Sequence, residues 1–433
     1  MADNARGVVR IPYGHGRLEL ALDQALGEKD AARVIEGDIA SVEPPAPADE
    51  LVRRALERPI GAPRLSELAR DARSAVVVTS DHTRAMPSSV TMPLLLEELR
   101  RKNPDIEVTI LVATGLHRAT TPDELRARFG DAVVDRERIV VHDAFDASAC
   151  VDLGTLPSGA CFQVNRLVTT CDLLVAEGFI EPHFFAGFSG GRKSILPGVC
   201  SERTVKENHS YRAIASDCAR TAVLAGNPIH EDMVEAARRV SVAFILNVAL
   251  NGVKQVVGAW AGDVERAHEE GVAFVRRLTE RPVEAADIVI TGNGGHPLDQ
   301  NLYQSPKAAS TAAAFAGEDG VIILCCSCSD GVGGTHFQEL MQSGTPEQID
   351  ARLAAIPADQ TIPEQWCAQI YARILRRHRL ILVSDGLDPD LVARLNMTPA
   401  PTLADALALA RRLKGPDARI IVIPDGVNVV PAS

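Results

Sequence analysis

The strongest constraint on the fold is a set of short, continuous apolar runs. Each is too brief for a helix and closes on glycine or a polar turn. "SAVVVTS" (Ser74–Ser80), "IEVTILVATG" (Ile106–Gly115) and "CDLLVAEGFI" (Cys171–Ile180) lie in the first half. "ADIVITGNGG", "GVIILCCSC", "RLILVSDG" and "ARIIVIPDG" follow in the second. Val- and Ile-rich strands without polar alternation are buried on both faces. Helical patterns separate them, among them "SSVTMPLLLEELRRK" and "TPDELRARFG". In the latter, Thr121 as N-cap and Glu124 three residues on have capping-box spacing. Such alternation requires mainly parallel sheets covered by helices. "FILNVAL" and "KQVVGAW" are expected to pair instead as a hairpin around Asn251-Gly252. The expected class is α/β: two α/β domains with mainly parallel sheets and an active site in the interdomain cleft. At 433 residues the chain exceeds one ordinary core. A change of unit near "FVRRLTERPVEAADIVITG" assigns residues 1–275 to an N-terminal domain and 276–433 to a C-terminal one. The proline-rich "SVEPPAPADELVRRALERPIGAPRL" reads as a surface connection with one helix.

Charge narrows the function. A net charge of −12 argues against a nucleic-acid surface, which needs clustered Lys and Arg. No apolar stretch reaches the roughly 18 residues of a membrane span, and "MADNARGVVRIPYGHG" has no signal-peptide core. The nine cysteines lack repeated CxxC spacing. Cys325, Cys326 and Cys328 read as core thiols at a strand end, and a reducing cytoplasm is the expected compartment.

In open α/β sheets, ligands bind beyond the carboxyl ends of the strands. Four such ends carry ionisable side chains: "SDHTRAMP" with Asp81, His82 and Arg84; "ATGLHR" with His117 and Arg118; "EPHFFAGFSGGRKS" with His183 and Lys193; and "TGNGGHPLDQNLYQSPK" with Asp299, Gln304 and Lys307. Each has a plain alternative. Arg84 could pair with Asp81 at the surface or grip a carboxylate or phosphate. His117, His183 and His209 could be structural, yet histidine is also the side chain suited to proton exchange near neutrality. Trp366 could be packing or a pocket wall. Gly187, Gly190, Gly191 and Gly198 around Lys193 imply close backbone approach or positive φ. "GFSGGRKS" resembles a phosphate-binding P-loop, but Arg192 stands where that motif requires glycine. The loop could still bind a phosphate through backbone N–H groups, and Lys193 could act as a covalent tether.

Taken together, "DHTR" (81–84), "GLH" (115–117), "PHFFAGFSGGRKSILPG" (182–198), "NHS" (208–210) and "YQSPK" (303–307) resemble the nickel-pincer lactate racemase family, the 2-hydroxyacid racemases and epimerases. The resemblance runs from about Asp81 to Trp366. It implies a nickel-pincer nucleotide, a pyridinium-3-thioamide-5-thiocarboxylic acid mononucleotide that binds Ni through one carbon and two sulfurs. Lys193 would be joined to it, with Ser189, Gly190, Gly191 and Pro197 lining it, and His209 would ligate the nickel. His117 and His183 would be the acid/base pair. Arg84 and Lys307 would hold the substrate carboxylate, with Gln304 beside them. Asp81 would orient a neighbouring side chain, and Tyr303 and Trp366 would shape substrate choice. The glycine loop would let the backbone approach the cofactor.

The mechanism the resemblance implies moves the α-hydrogen of a 2-hydroxyacid to the cofactor as hydride while a histidine takes the hydroxyl proton. The resulting 2-oxoacid rotates and is reduced on its other face. Partners would be the small 2-hydroxyacid and the cofactor-maturation enzymes. Lactate is the first expectation. Malate, aryl-lactates and sugar acids are alternatives within the family, and a P-loop-like phosphotransferase or a non-catalytic carrier of a phosphorylated ligand are alternatives outside it.

Overall fold

A computed structural model describes residues 7–21 and 33–432. The chain forms two compact units: Asp38–Leu278, and Met1–Gly37 together with Thr279–Ser433.

The Asp38–Leu278 unit is built on a six-stranded sheet. Its order is Val256–Gly262, Val242–Leu250, Leu173–Phe179, Ser74–Ser80, Glu107–Ala113, Arg138–Val141. All neighbours are parallel except the first pair, the expected hairpin. Its connection is longer than a two-residue turn. Asn251 Oδ1 accepts the backbone N–H groups of Val253 and Gln255 and closes the loop. Leu173–Phe179 is buried at every residue, as a central parallel strand requires. Val77, Ile110, Val175 and Leu246 project into one core with Leu95 and Leu99 of the helix Ser88–Arg100. The helix Pro122–Phe129 begins on the predicted capping box, with both reciprocal bonds of Thr121 and Glu124 made.

The other unit carries a second six-stranded sheet, parallel throughout. Its order is Thr398–Ala400, Arg379–Val383, Ala316–Cys325, Ala286–Gly292, Ile420–Ile423, Arg33–Val34. The antiparallel hairpin Val8–Tyr13/Gly16–Ala21 buries Ile11 and Leu20 in this unit's core beside Ile290 and Val422. The division thus differs from the 1–275 and 276–433 expected from sequence. The described residues before Asp38 cluster with the chain's far end, because the hairpin's apolar face and the edge strand Arg33–Val34 are completed there. Cys325, Cys326 and Cys328 are buried at the end of a strand, and all nine cysteines are free.

Candidate active site

The loop carrying Lys193 leaves the strand Leu173–Phe179, makes a small antiparallel pair between Pro182–His183 and Gly187–Phe188, and ends in the 3-10 turn Gly191–Ser194. It is pinned from beneath. The Gly191 N–H donates to Asn247 Oδ1 (2.7 Å) and the Ser194 hydroxyl to the Glu177 carbonyl (3.0 Å). Arg192, 1 % exposed, donates to the carbonyls of Phe188 (3.0 Å) and Ser189 (3.2 Å) and to Nδ1 of His230 (2.9 Å), with His268 Nε2 2.9 Å away. Burial alone lowers this guanidinium to about 9.

Gly187 and Gly190 take the positive φ that the sequence allowed for, 76° and 134°, and the close approach is made to neighbouring parts of the chain. At Gly190, where φ is 134°, a Cβ would lie 2.5 Å from His268, and at Gly198 it would meet the Ser194 carbonyl. The backbone makes room for its own protein. Pro197 follows a cis peptide bond and is half-buried. Ser189 donates from its hydroxyl to the Phe179 carbonyl. A nucleotide P-loop needs a helix start at this point, and the chain offers a four-residue turn with Arg192 turned inside.

His209 caps the C-terminal end of the helix Glu202–Asn208 and is 4 % exposed. Burial, then the charge of Lys193, presses its pKa down to about 3. The ring is neutral at physiological pH, the protonation state a metal takes, and Lys193 is near enough for its charge to be felt. Asn208, one residue earlier, is clamped by the buried Asp232 (2.8 Å), which also binds Ser158. Phe185 stands between two candidate histidines: its ring centroid is 4.5 Å from His183 and 5.0 Å from His209. Nδ1 of His183 accepts the Ala186 N–H at 3.2 Å. Among the described residues no group of three or more His, Cys, Asp or Glu side chains is arranged to hold a metal. A metal at His209 therefore needs its other donors from a bound group. One neutral imidazole beside a lysine fits a tethered group that brings a carbon and two sulfurs.

Parallel pairing of Ser80 with Ala113 brings the next two loops out side by side. Asp81, 1 % exposed, accepts from Nδ1–H of His117 at 2.6 Å and from the Thr83 hydroxyl (2.6 Å) and N–H (3.1 Å). Burial would raise this carboxyl, but the hydrogen bond and charge of His117, with Thr83, outweigh it and hold it at about 2. With Nδ1–H committed to Asp81, neutral His117 presents a lone pair at Nε2. Its side chain is 42 % exposed. Asp81 is thus spoken for by Thr83 and His117. Half-buried Arg84 contributes its carbonyl to Arg128 (3.0 Å). His82 turns to Thr120 (3.1 Å).

In the other unit, Gln304 closes the 3-10 turn Leu302–Gln304, and Lys307 lies in the first turn of the helix Pro306–Phe315. Trp366 donates from Nε1 to the Tyr303 hydroxyl at 3.0 Å. Burial pushes that phenol well up. Asp299, fully buried, is structural: it accepts the N–H groups of Gly14 (2.7 Å) and Ser327 (3.3 Å).

Sequence reasoning missed Asn247, His230, His268, Asp232, Arg128 and Glu177. Two had a signal. Asn247 and Glu177 are polar residues inside otherwise apolar strands, and each ties a neighbouring segment. Glu177 takes the hydroxyls of Thr79, Ser88 and Thr91, each at 2.6 Å.

Known proteins bear on these loops. The lactate racemase N-terminal domain family matches residues 13–222 and the lactate racemase C-terminal domain family residues 282–431. The chain is 45% identical over 423 residues to a lactate racemase of Thermoanaerobacterium thermosaccharolyticum, spanning 98% of each chain. It is 43% identical over 423 residues to a lactate racemase of Lactiplantibacillus plantarum, spanning 98% of this chain and 99% of the relative. The solved lactate racemase apoprotein from T. thermosaccharolyticum superposes with a TM-score of 0.94 at 44% identity, over 99% of this chain and 100% of that one. A solved protein from Thermotoga maritima shares the fold at 17% identity, with a TM-score of 0.64 over 91% of this chain and 99% of that one. With family matches in both halves and relatives of this identity along nearly its whole length, the chain belongs to the lactate racemase family.

Proposed function

We propose that this enzyme, an isomerase, interconverts the enantiomers of lactate using a nickel-pincer nucleotide tethered to Lys193. The observation that carries the reading is Lys193 set near a buried, neutral His209. Lys193 would hold the nucleotide, His209 would give its imidazole to nickel, and Ser189, Gly190, Gly191 and Pro197 would shape the loop around it. When bound, the group supplies a hydride acceptor for the α-hydrogen of a 2-hydroxyacid.

The chain's own residues do the rest. His117 takes the hydroxyl proton at Nε2, and Asp81 stabilises the imidazolium that forms. His183 serves the opposite enantiomer, whose hydroxyl faces the other way. Its bond from the Ala186 N–H means that it needs Nδ1 freed before Nε2 can act as base. Arg84 and Lys307 bind the carboxylate, Gln304 donates a hydrogen bond, and Tyr303 and Trp366 bound the substrate's side chain. The small acid, the cofactor-maturation enzymes and a reducing cytoplasm that keeps nine cysteines free complete the proposal. The acidic net charge of −12 favours no nucleic-acid partner, and among the described residues no helix is long and apolar enough to cross a membrane.

The test is co-expression with the cofactor-building enzymes and nickel, then intact mass with peptide mapping and racemisation of L-lactate followed by optical rotation. A nucleotide-sized adduct on Lys193 with turnover is expected, both lost in Lys193→Ala. An unmodified Lys193 in active protein would overturn the tether.

A further inference from the structure

We propose that Glu364 is a positioning residue for the Tyr303–Trp366 pair, an inference that rests on the reading above in which that pair bounds the substrate. Glu364 belongs to none of the motifs described. It precedes the helix Gln365–Leu375 and has φ 71° and ψ −7°, a left-handed backbone. Residues other than Gly, Asn and Asp avoid that region unless their surroundings impose it. Here the imposing contact is visible. The carboxylate of Glu364 accepts the N–H of Phe337 at 2.9 Å, in the helix Thr335–Met341. Gly334 gives it room, since a Cβ there would lie 2.7 Å from Glu364 Cδ.

The carboxylate therefore latches one helix start to another. The left-handed turn sets the direction in which the second helix departs. Two residues on, Trp366 delivers its Nε1–H to the Tyr303 hydroxyl at 3.0 Å. The Tyr303 ring packs edge-on against Phe337, centroids 5.8 Å apart, so the residue that takes the latch also backs the phenol. Tyr303 is held in turn through its N–H on the Val332 carbonyl (3.0 Å). Gln304 follows directly in the same turn. Releasing Glu364 lets the first turn of the helix rotate and carries the indole away from the phenol, with the substrate's side-chain wall along with it.

The chain has two tryptophans, Trp260 and Trp366, so Trp260→Phe leaves Trp366 as the sole indole reporter. In that background, Glu364→Ala is expected to red-shift the emission and raise its quenching by acrylamide. Glu364→Gln, which keeps an acceptor for the Phe337 N–H, is expected to leave both unchanged. Glu364→Gly removes the latch and relieves the backbone. It folds at least as readily as the alanine variant and should show the same emission change. In cofactor-loaded protein, the alanine variant should raise KM for lactate about fivefold, the order of one lost hydrogen bond, with kcat falling less. A lower melting temperature with unchanged emission and unchanged KM would reduce Glu364 to a helix cap and overturn the proposal. A glutamine variant that behaves like alanine would overturn the hydrogen-bond latch. If the parent protein does not turn over lactate, the proposed function fails, while the emission of the unloaded variants still decides what Glu364 holds.

Discussion

Asp81 and His117 form the most sharply defined polar contact among the residues assigned to chemistry, at 2.6 Å with the carboxylate buried. Asp81→Asn removes the charge that stabilises imidazolium and should lower kcat for lactate by at least about 100-fold, a typical acid/base contribution. Initial rates of optical rotation would measure it, and an Asn variant within a few-fold of the parent would remove Asp81 from the mechanism. Enantiomers have equal free energies, so kcat/KM must be the same from D- and from L-lactate in every variant. His117→Ala and His183→Ala should therefore each lower kcat/KM equally in both directions, by roughly 10²–10⁴. Their distinct roles can appear only as different splits between kcat and KM. At this scale the sequence was partly legible. Lys193, His117 and Asp81 stand in the loops that follow strands, where local pattern leads the eye. His230 and His268 come from helices far along the chain, and only folding brings them to Arg192.

The segment most dependent on such distant partners is the turn around Lys193. Arg192→Met would leave the Phe188 carbonyl and His230 Nδ1 without their guanidinium donor, at about 1–3 kcal/mol for each group, while the Ser189 carbonyl keeps His268 Nε2 at 2.8 Å. A loss of several kcal/mol in urea unfolding is expected, and a loss under about 1 kcal/mol would mean that the turn holds itself. Thr121→Ala removes the cap of the helix Pro122–Phe129 and should cost about 1 kcal/mol. A drop in the urea midpoint with unchanged slope would register it. That cap was readable because its two bonds lie three residues apart. The hairpin Val8–Tyr13/Gly16–Ala21 was not read. Its strands are short and partly exposed, and its apolar side chains find their core only against strands from the far end of the sequence. The parallel strands were legible because burial on both faces writes itself as an unbroken apolar run. Positive φ at Gly187 and Gly190 was legible too, but the neighbour was not, since close approach looks the same in sequence whether it is made to a ligand or to His268.

Across the whole molecule, buried imidazoles set the response to acid. Burial holds His142, His209, His230 and His268 below the ordinary histidine range. The unfolded chain then binds more protons than the folded one below about pH 6.5, so stability is full above that pH and falls as pH drops. Each fully buried ring removes up to about 1.4 kcal/mol per pH unit. Asp81, held at about 2, adds a loss of the same sign below about pH 4. The melting temperature of unloaded protein should decline steadily from pH 7 to 5, and a flat profile would contradict neutral buried rings. The pairing of Val34 with Val422 has a consequence in time. A ribosome making this chain releases Asp38–Leu278 with all of that unit's strands present, while the hairpin made before it waits for strands not yet translated. At about 5–20 residues per second the delay is on the order of tens of seconds. Throughout it Ile11 and Leu20 have only their own hairpin for native neighbours, so a segment synthesised before the Asp38–Leu278 unit reaches its place after it, and a chaperone on the nascent chain would find its binding site there.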